Sequence, residues 1–381
     1  MLLIIVLLFV QSPASPLSDW QVDRYIDTVR GEFRELDYAS GHELEQLLSF
    51  VRKHSLHEMD PEILKEYVLE GIIMSLGDDY AAIENRYESS FLESLEGKYS
   101  GFGFDLGVIG ESPGGNYVIT NVLEGSAAYR AGIKPGDLID SINGIKVHAN
   151  RKLYEGAMDM VGSDGVHKLS IRRGRKTLHF DLKPVDYEEP AVSVRTINKD
   201  IYYIKINNCS LEMPLYVESE LKKVRDFQFE KVIIDLRHNL GGWEDSVIKV
   251  CAMMCDKEVI AYYNDRSGVH EIKREGTEQI TDVKPIVLIS RDTASSAELL
   301  AACLKKHAGA TLVGEKTYGK NRSQGVYEFG GRVLKFTNGI LSADQNFPLN
   351  FSGIDPDIVI EGMYEEPERD KALEKAMELL N

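Results

Sequence analysis

The sequence predicts a multidomain α/β protein: a helical N-terminal region, a β-rich middle module, and a C-terminal domain in which strands and helices alternate. Three observations carry this. In residues 17–97, Ile63, Leu64, Tyr67, Val68 and Ile72 recur at helical spacing up to Gly77. Asp60-Pro61 supplies the N-cap and first turn, and a second helical stretch, YESSFLESLEGK, reaches Gly97. In residues 98–187, short β-forming runs (YVITNV, DLIDSING, HKLSIRR) are separated by glycine turns. In residues 190–381, KVIIDL (231–236) and PIVLIS (285–290) are near-continuous apolar runs of strand length, as expected of strands covered on both faces. Helical stretches at 243–256 and 296–307 follow them, an order that implies a sheet at least partly parallel.

The length of 381 residues fits two or three domains, and 43% hydrophobic with 28% charged residues fits a soluble globular chain. A net charge of −17 argues against nucleic acid and against adhesion to an anionic lipid surface. Leu2–Val10 is an unbroken apolar run followed by QSPASP. It is too short to span a bilayer and has the length of a signal-peptide core, so residues 1–16 read as a signal peptide or short apolar leader. An extracytoplasmic location follows. Membrane association through the leader and a homodimer are both compatible with the sequence.

Cys209, Cys251, Cys255 and Cys303 show no C-x-x-C spacing and read as small buried hydrophobes. His54 and His57 form H-x-x-H in a charged segment, a pattern that fits a solvated helix face better than a metal site. No cofactor or metal is called for.

In the middle module, YSGFGFDLG (99–107) precedes VLEGSAAYRAGIKPGDLIDSINGIKV (122–147). Together they resemble a PDZ domain of the bacterial protease-associated type. A loop with Gly101 and Gly103 can turn backbone N–H groups toward a carboxylate, and the strand from Phe104 can pair with an added peptide. Phe102 and Phe104 are candidates to line a pocket for the last side chain. A dinucleotide site fits poorly, because these glycines open a strand and no helix follows.

Chemistry concentrates near TASSAELLAAC (293–303), after the apolar strand and at the head of a helix apolar nearly all round. Ser295 and Glu298 fit a capping box, so the serine has a bland role as well. A serine nucleophile needs a base. His307 lies at the far end of the same helix, about 18 Å away at 1.5 Å per residue. His238 in DLRHNLGG stays open. A lysine held neutral by burial is the other option, and GATLVGEKTYGKNRSQG offers Lys316 and Lys320 on a turn that helix and strand can return to the helix start.

Here the sequence resembles the carboxyl-terminal processing peptidases, or tail-specific proteases. Ser295, Lys320 twenty-five positions later, and Gln324 four beyond that match the family's pattern. The resemblance implies a ClpP/crotonase-like peptidase core with Ser295 as nucleophile, Lys320 as general base and Gln324 orienting the lysine. It leaves Lys316 as a surface or turn residue. DLRHNLGG implies an oxyanion hole from a backbone N–H near Gly241 or Gly242 together with that of Ser296, with Glu298 as a cap or support. GIDPDI (353–358) and GIIMSLGDDYAAI (71–83) also resemble family segments. Asn321 stands where the family often has glycine. The implied activity is that of a serine endopeptidase acting on proteins or peptides with apolar carboxyl termini. An inactive PDZ scaffold and an acyl-CoA enzyme on the same fold are the competing readings.

Overall fold

The computed structural model describes residues 61–85, 97–109, 116–123, 125–147, 165–329, 332–346, 351–363 and 369–381, with single positions at 46, 49 and 53. The apolar leader, His54 and His57 lie outside the described residues. The chain divides into two compact units, residues 1–86 with 324–337, and residues 87–323 with 338–381.

In the first unit, α1 (Pro61–Ser75) begins at the proline that suits a first helical turn. β1 (Ala82–Asn85) follows, in a region where the sequence predicts helix. Its partner is far along the chain: Ala82–Asn85 pairs antiparallel with Arg332–Lys335.

The second unit opens with the middle module. β2 (Lys98–Gly101) pairs with β9 (Val185–Glu188) and closes the module at its base. Between them run β3 (Phe104–Ile109), β4 (Asn116–Val122), β5 (Leu138–Ile142), β6 (Ile145–Lys146), β7 (His167–Arg173) and β8 (Lys176–Leu182). Their order is β3-β4-β5-β7-β8, with β6 on β5. The short α2 (Ala127–Ala131) is capped by Ser126, whose hydroxyl accepts from Tyr129 N–H and donates to the Gly103 carbonyl. Ile119, Ile139, Leu169 and Ile171 fill a small core of the module's own.

The C-terminal domain is built on a six-stranded sheet. Its strands are β10 (Val192–Ile197), β11 (Ile201–Ile206), β12 (Lys231–Asp235), β15 (Ile286–Ile289), β16 (Thr311–Gly314) and β19 (Ile358–Val359). Only the β10–β11 pair is antiparallel. Alternation along each strand serves two cores. Ile204, Val232, Ile234, Val287 and Leu312 face α3 (Met213–Asp226), α4 (Glu244–Met254) and α5 (Ser296–His307). Ile201, Ile233, Ile286, Leu288 and Val313 face α6 (Lys371–Leu380). Both faces are covered, which is why the strands read as continuous apolar runs. β13 (Val259–Asp265) pairs with β14 (Gly268–Lys273) and with residues 340–342 of β18 (Arg332–Ser342), which in turn pairs with β17 (Arg322–Phe329). All four cysteines are free and buried.

A buried ion-pair network ties the sheet to α6. Arg237 reaches Asp235 at 2.6 Å and Asp370, the N-cap of α6, at 2.7 Å, and the Tyr203 hydroxyl donates to Asp235 at 2.5 Å. Burial works to raise the Asp235 carboxyl, but the Arg237 charge and hydrogen bonds prevail and hold it at about 2. Arg237→Ala would leave that carboxylate buried without its cation, an expected loss of about 3 kcal/mol at pH 7 in urea unfolding. The sign follows from the depressed value. In the wild type, stability from Asp235 is complete above the unfolded carboxyl range near ~4 and is lost as pH falls toward 2. In the variant the unpaired carboxyl rises instead, so the deficit should shrink from pH 7 to about 5. Equal midpoints at pH 7 would show that the network contributes nothing.

Candidate active site

Ser295 lies six residues beyond Ile289, where the parallel strand β15 ends, at the head of α5. The turn between them is clasped to the end of β12. Thr293 Oγ1 donates to the Leu236 carbonyl at 2.9 Å, and Ala294 N–H donates to the Asn239 carbonyl at 2.9 Å. Ser295 itself has φ 55° and ψ −125°. For a residue with a Cβ this backbone is strained, and such strain persists only where surrounding contacts enforce it.

Those contacts centre on Glu298, 1% exposed. Its carboxylate accepts Ser295 N–H at 3.0 Å, Lys320 N–H at 2.8 Å, Gly319 N–H at 2.8 Å and the Thr317 hydroxyl at 2.5 Å. The reach-back of a capping box is there, but three of the four donors come from the turn that carries the lysine. Burial pushes this carboxyl up, and the four donors work against that. Thr317 in turn accepts from Ile354 N–H at 2.7 Å, so the GIDPDI segment supports the same turn.

Asn239, wholly buried, fixes the neighbouring loop. Its Nδ2 donates to the Ile206 carbonyl at 2.9 Å and its Oδ1 accepts Gly241 N–H at 2.8 Å. The Gly241 amide is therefore committed. Of the two glycines expected near an oxyanion hole, this leaves Gly242, because an Asn side chain folds back onto the first. Gly241 has φ 100°, and a Cβ there would lie 2.9 Å from the Ser295 Cβ, so only glycine lets the loop touch the serine. Ser296 Oγ donates to the Gly242 carbonyl at 3.2 Å, holding the two segments together, and its N–H belongs to the first turn of α5, where amides lack intrahelical acceptors.

Ser295 and Lys320 line one cavity of about 220 Å³, with Leu299, Ala302, Leu341, Phe351 and Ile354 as its apolar wall. The other candidate bases are engaged elsewhere. His238 Nδ1 bonds Asp292 at 3.0 Å, His307 Nε2 bonds the Ile260 carbonyl at 2.9 Å, and the exposed Lys316 pairs with Asp355 at 3.3 Å. Gln324 belongs to the first unit, where its Nε2 donates to the Tyr80 carbonyl at 2.8 Å.

In the middle module, Gly101 and Gly103 take φ 150° and 78°. β3 is an edge strand, paired only with β4 among the described residues. Phe102 is 3% exposed and packs inside the module against Phe104 and His167, so it is a core residue rather than a surface wall. Phe104, two residues on, packs against the same core from a half-buried position.

Residues 200–360 match the sequence profile of peptidase family S41, and residues 118–155 match that of a PDZ domain. The chain is 26% identical over 341 residues to a "Probable CtpA-like serine protease" of Staphylococcus aureus, covering 85% of this chain and 66% of that protein. It is 28% identical over 304 residues to "Carboxyl-terminal-processing peptidase 2, chloroplastic" of Arabidopsis thaliana, covering 76% of this chain and 59% of that one. This chain thus spans under two thirds of the length of these relatives. A solved "Photosystem II D1 C-terminal processing protease" superposes with a TM-score of 0.58 at 19% identity, covering 86% of this chain and 88% of that one, a likeness of fold. The fold is therefore a mixed α/β one with an S41 core and a PDZ domain. Glu298 is the site residue of the S41 domain that sequence reasoning undervalued. Its E in S-x-x-E signals a cap, while its contacts with the lysine turn are set by tertiary structure.

Proposed function

We propose that the chain is an extracytoplasmic serine endopeptidase of the carboxyl-terminal processing kind. Its PDZ domain captures apolar carboxyl termini of protein or peptide substrates. The observation that carries this reading is a strained serine at a helix start, tied through one carboxylate to the turn that bears a lysine, with both residues on one cavity.

Ser295 Oγ attacks the scissile carbonyl carbon while its proton passes to neutral Lys320 Nζ. The carbonyl oxygen becomes an oxyanion and is met by the N–H groups of Gly242 and Ser296. Collapse breaks the C–N bond, and the leaving amine takes the proton from Lys320. Water then hydrolyses the Ser295 ester by the same proton route. The apolar cavity wall suits an apolar side chain next to the cleaved bond. For tail capture, the edge of β3 left unpaired among the described residues accepts the peptide as an added strand, the Gly101–Gly103 loop meets its carboxylate, and Phe104 supplies the apolar wall. No helix among the described residues is long and apolar enough to cross a membrane.

The test is proteolysis of one reporter carrying either an apolar or a charged tail. Wild type should cleave the apolar-tailed form faster, with activity rising with pH as the lysine loses its proton. Equal rates for both tails would refute tail recognition. Peptide binding without turnover by the wild type would favour the scaffold reading instead.

A further inference from the structure

The cavity that holds Ser295 and Lys320 has a further charged member with no part in the steps above. Arg322 lines it, two residues after the lysine and at the first position of β17. Its backbone is fixed there: the carbonyl of the preceding Asn321 accepts Leu341 N–H at 2.9 Å, and Leu341 belongs to the apolar wall. Ser323 is 4% exposed and Arg322 is exposed, as alternation along a strand requires. The acids on the same cavity are already satisfied. Glu298 receives four donors, and Asp344 pairs with Lys306 of α5. Among the described residues Arg322 has no hydrogen bond or ion pair, in a chain with 61 acidic residues against 44 basic ones.

We propose that Arg322 is a specificity-determining residue: it pairs with an acidic side chain of the substrate, next to the residue whose apolar side chain enters the cavity. The preferred cleavage site is then an apolar residue with an acidic neighbour rather than an apolar residue alone. A guanidinium suits this task, because its planar fork of donors matches a carboxylate. With a net charge of −17 the surface as a whole repels acidic segments, so recognising one needs a local cation that no acid of the chain has claimed. The carboxylate at the substrate's terminus is a different group, held in the reading above by the Gly101–Gly103 loop. Arg322 takes no proton and makes no bond in the reaction.

This inference rests on the Ser295–Lys320 reading, and its test is kcat/KM of the full chain on a set of reporters. All share one apolar tail and one apolar residue at the cleaved bond, and they carry Glu, Gln or Lys on either side of that residue. Wild type should prefer Glu to Gln at one of the two positions by about fivefold, the scale of one exposed ion pair. The preference should fade in about 1 M salt, where charges at a cavity mouth are screened. Arg322→Gln should cleave the Glu and Gln forms equally, and Arg322→Glu should favour the Lys form. Arg322→Lys keeps the charge without the fork and should retain a smaller preference. The wild-type comparison needs no variant, so a misfolded substitution does not remove the test. Equal rates of wild type on Glu and Gln forms would overturn the proposal, as would a Glu preference that survives Arg322→Gln. A loss in Arg322→Gln that is the same for both forms, with their ratio unchanged, would likewise make the arginine a support of the fold or of the lysine. Wild-type protein that cleaves no reporter, or cleavage surviving Lys320→Ala, would sink the Ser–Lys reading itself, and this proposal with it.

Discussion

Ser295→Gly should give a protein that is more stable and dead. The serine sits at φ 55°, ψ −125°, a conformation that is costly with a Cβ and free of that cost for glycine. Relief of that strain should raise unfolding stability by about 1 kcal/mol, whereas Ser295→Ala keeps the Cβ and should leave stability near wild type. Both substitutions remove the nucleophile, and cleavage should fall about ten-thousand-fold. Thermal unfolding and reporter cleavage on the same preparations separate the two effects. A Ser295→Gly protein less stable than Ser295→Ala would mean that the backbone is not strained. Residual wild-type turnover in either would remove Ser295 from the mechanism.

Glu298→Gln should be far from conservative. The ionised carboxylate offers two oxygens, each receiving two donors: Ser295 N–H and Lys320 N–H on one, Gly319 N–H and the Thr317 hydroxyl on the other. An amide turns one oxygen into an NH2 group that faces donors, whichever way it is flipped. A cost of about 3 kcal/mol follows from the unsatisfied buried groups. The lysine turn is then held less well against the serine, and a misplacement of about 1 Å is enough to lower kcat about 100-fold. Expected together are a lower unfolding midpoint and a kcat loss with KM little changed. A Glu298→Gln enzyme within about twofold of wild type would show that the carboxylate is only a helix cap.

Much of this molecule can be read from its residues, and the limits have physical causes. KVIIDL and PIVLIS announce buried parallel strands because both faces of the sheet are covered, so no polar residue interrupts them. The order of segments in the middle module and the register from Ser295 to Lys320 point to the same two domains that the sequence profiles match. Ala82–Asn85 reads as helix because the local pattern carries no trace of Arg332–Lys335, its partner about 250 residues on. Local propensity yields to such pairing. Phe102 looks like a pocket wall until its ring is placed among the module's own core residues. Gly241 and Gly242 are indistinguishable in the sequence. They differ only because Asn239 turns its side chain back onto the first amide. Glu298 is visible as a cap, but its three donors from residues 317–320 depend on where the chain returns after β16.

The carboxylate of Glu298 also bears on when the chain can do chemistry at all. Its donors include the main-chain amides of the serine and the lysine, so on the proposed Ser–Lys reading nucleophile and base would be brought to register by the completed domain and by no shorter piece of it. An unfolded chain carries an ordinary serine and an ordinary lysine, twenty-five positions apart and indifferent to each other. On that reading, a chain still extended would be harmless to its neighbours without any inhibitor, and damage that frees the turn at residues 317–320 would abolish its reactivity.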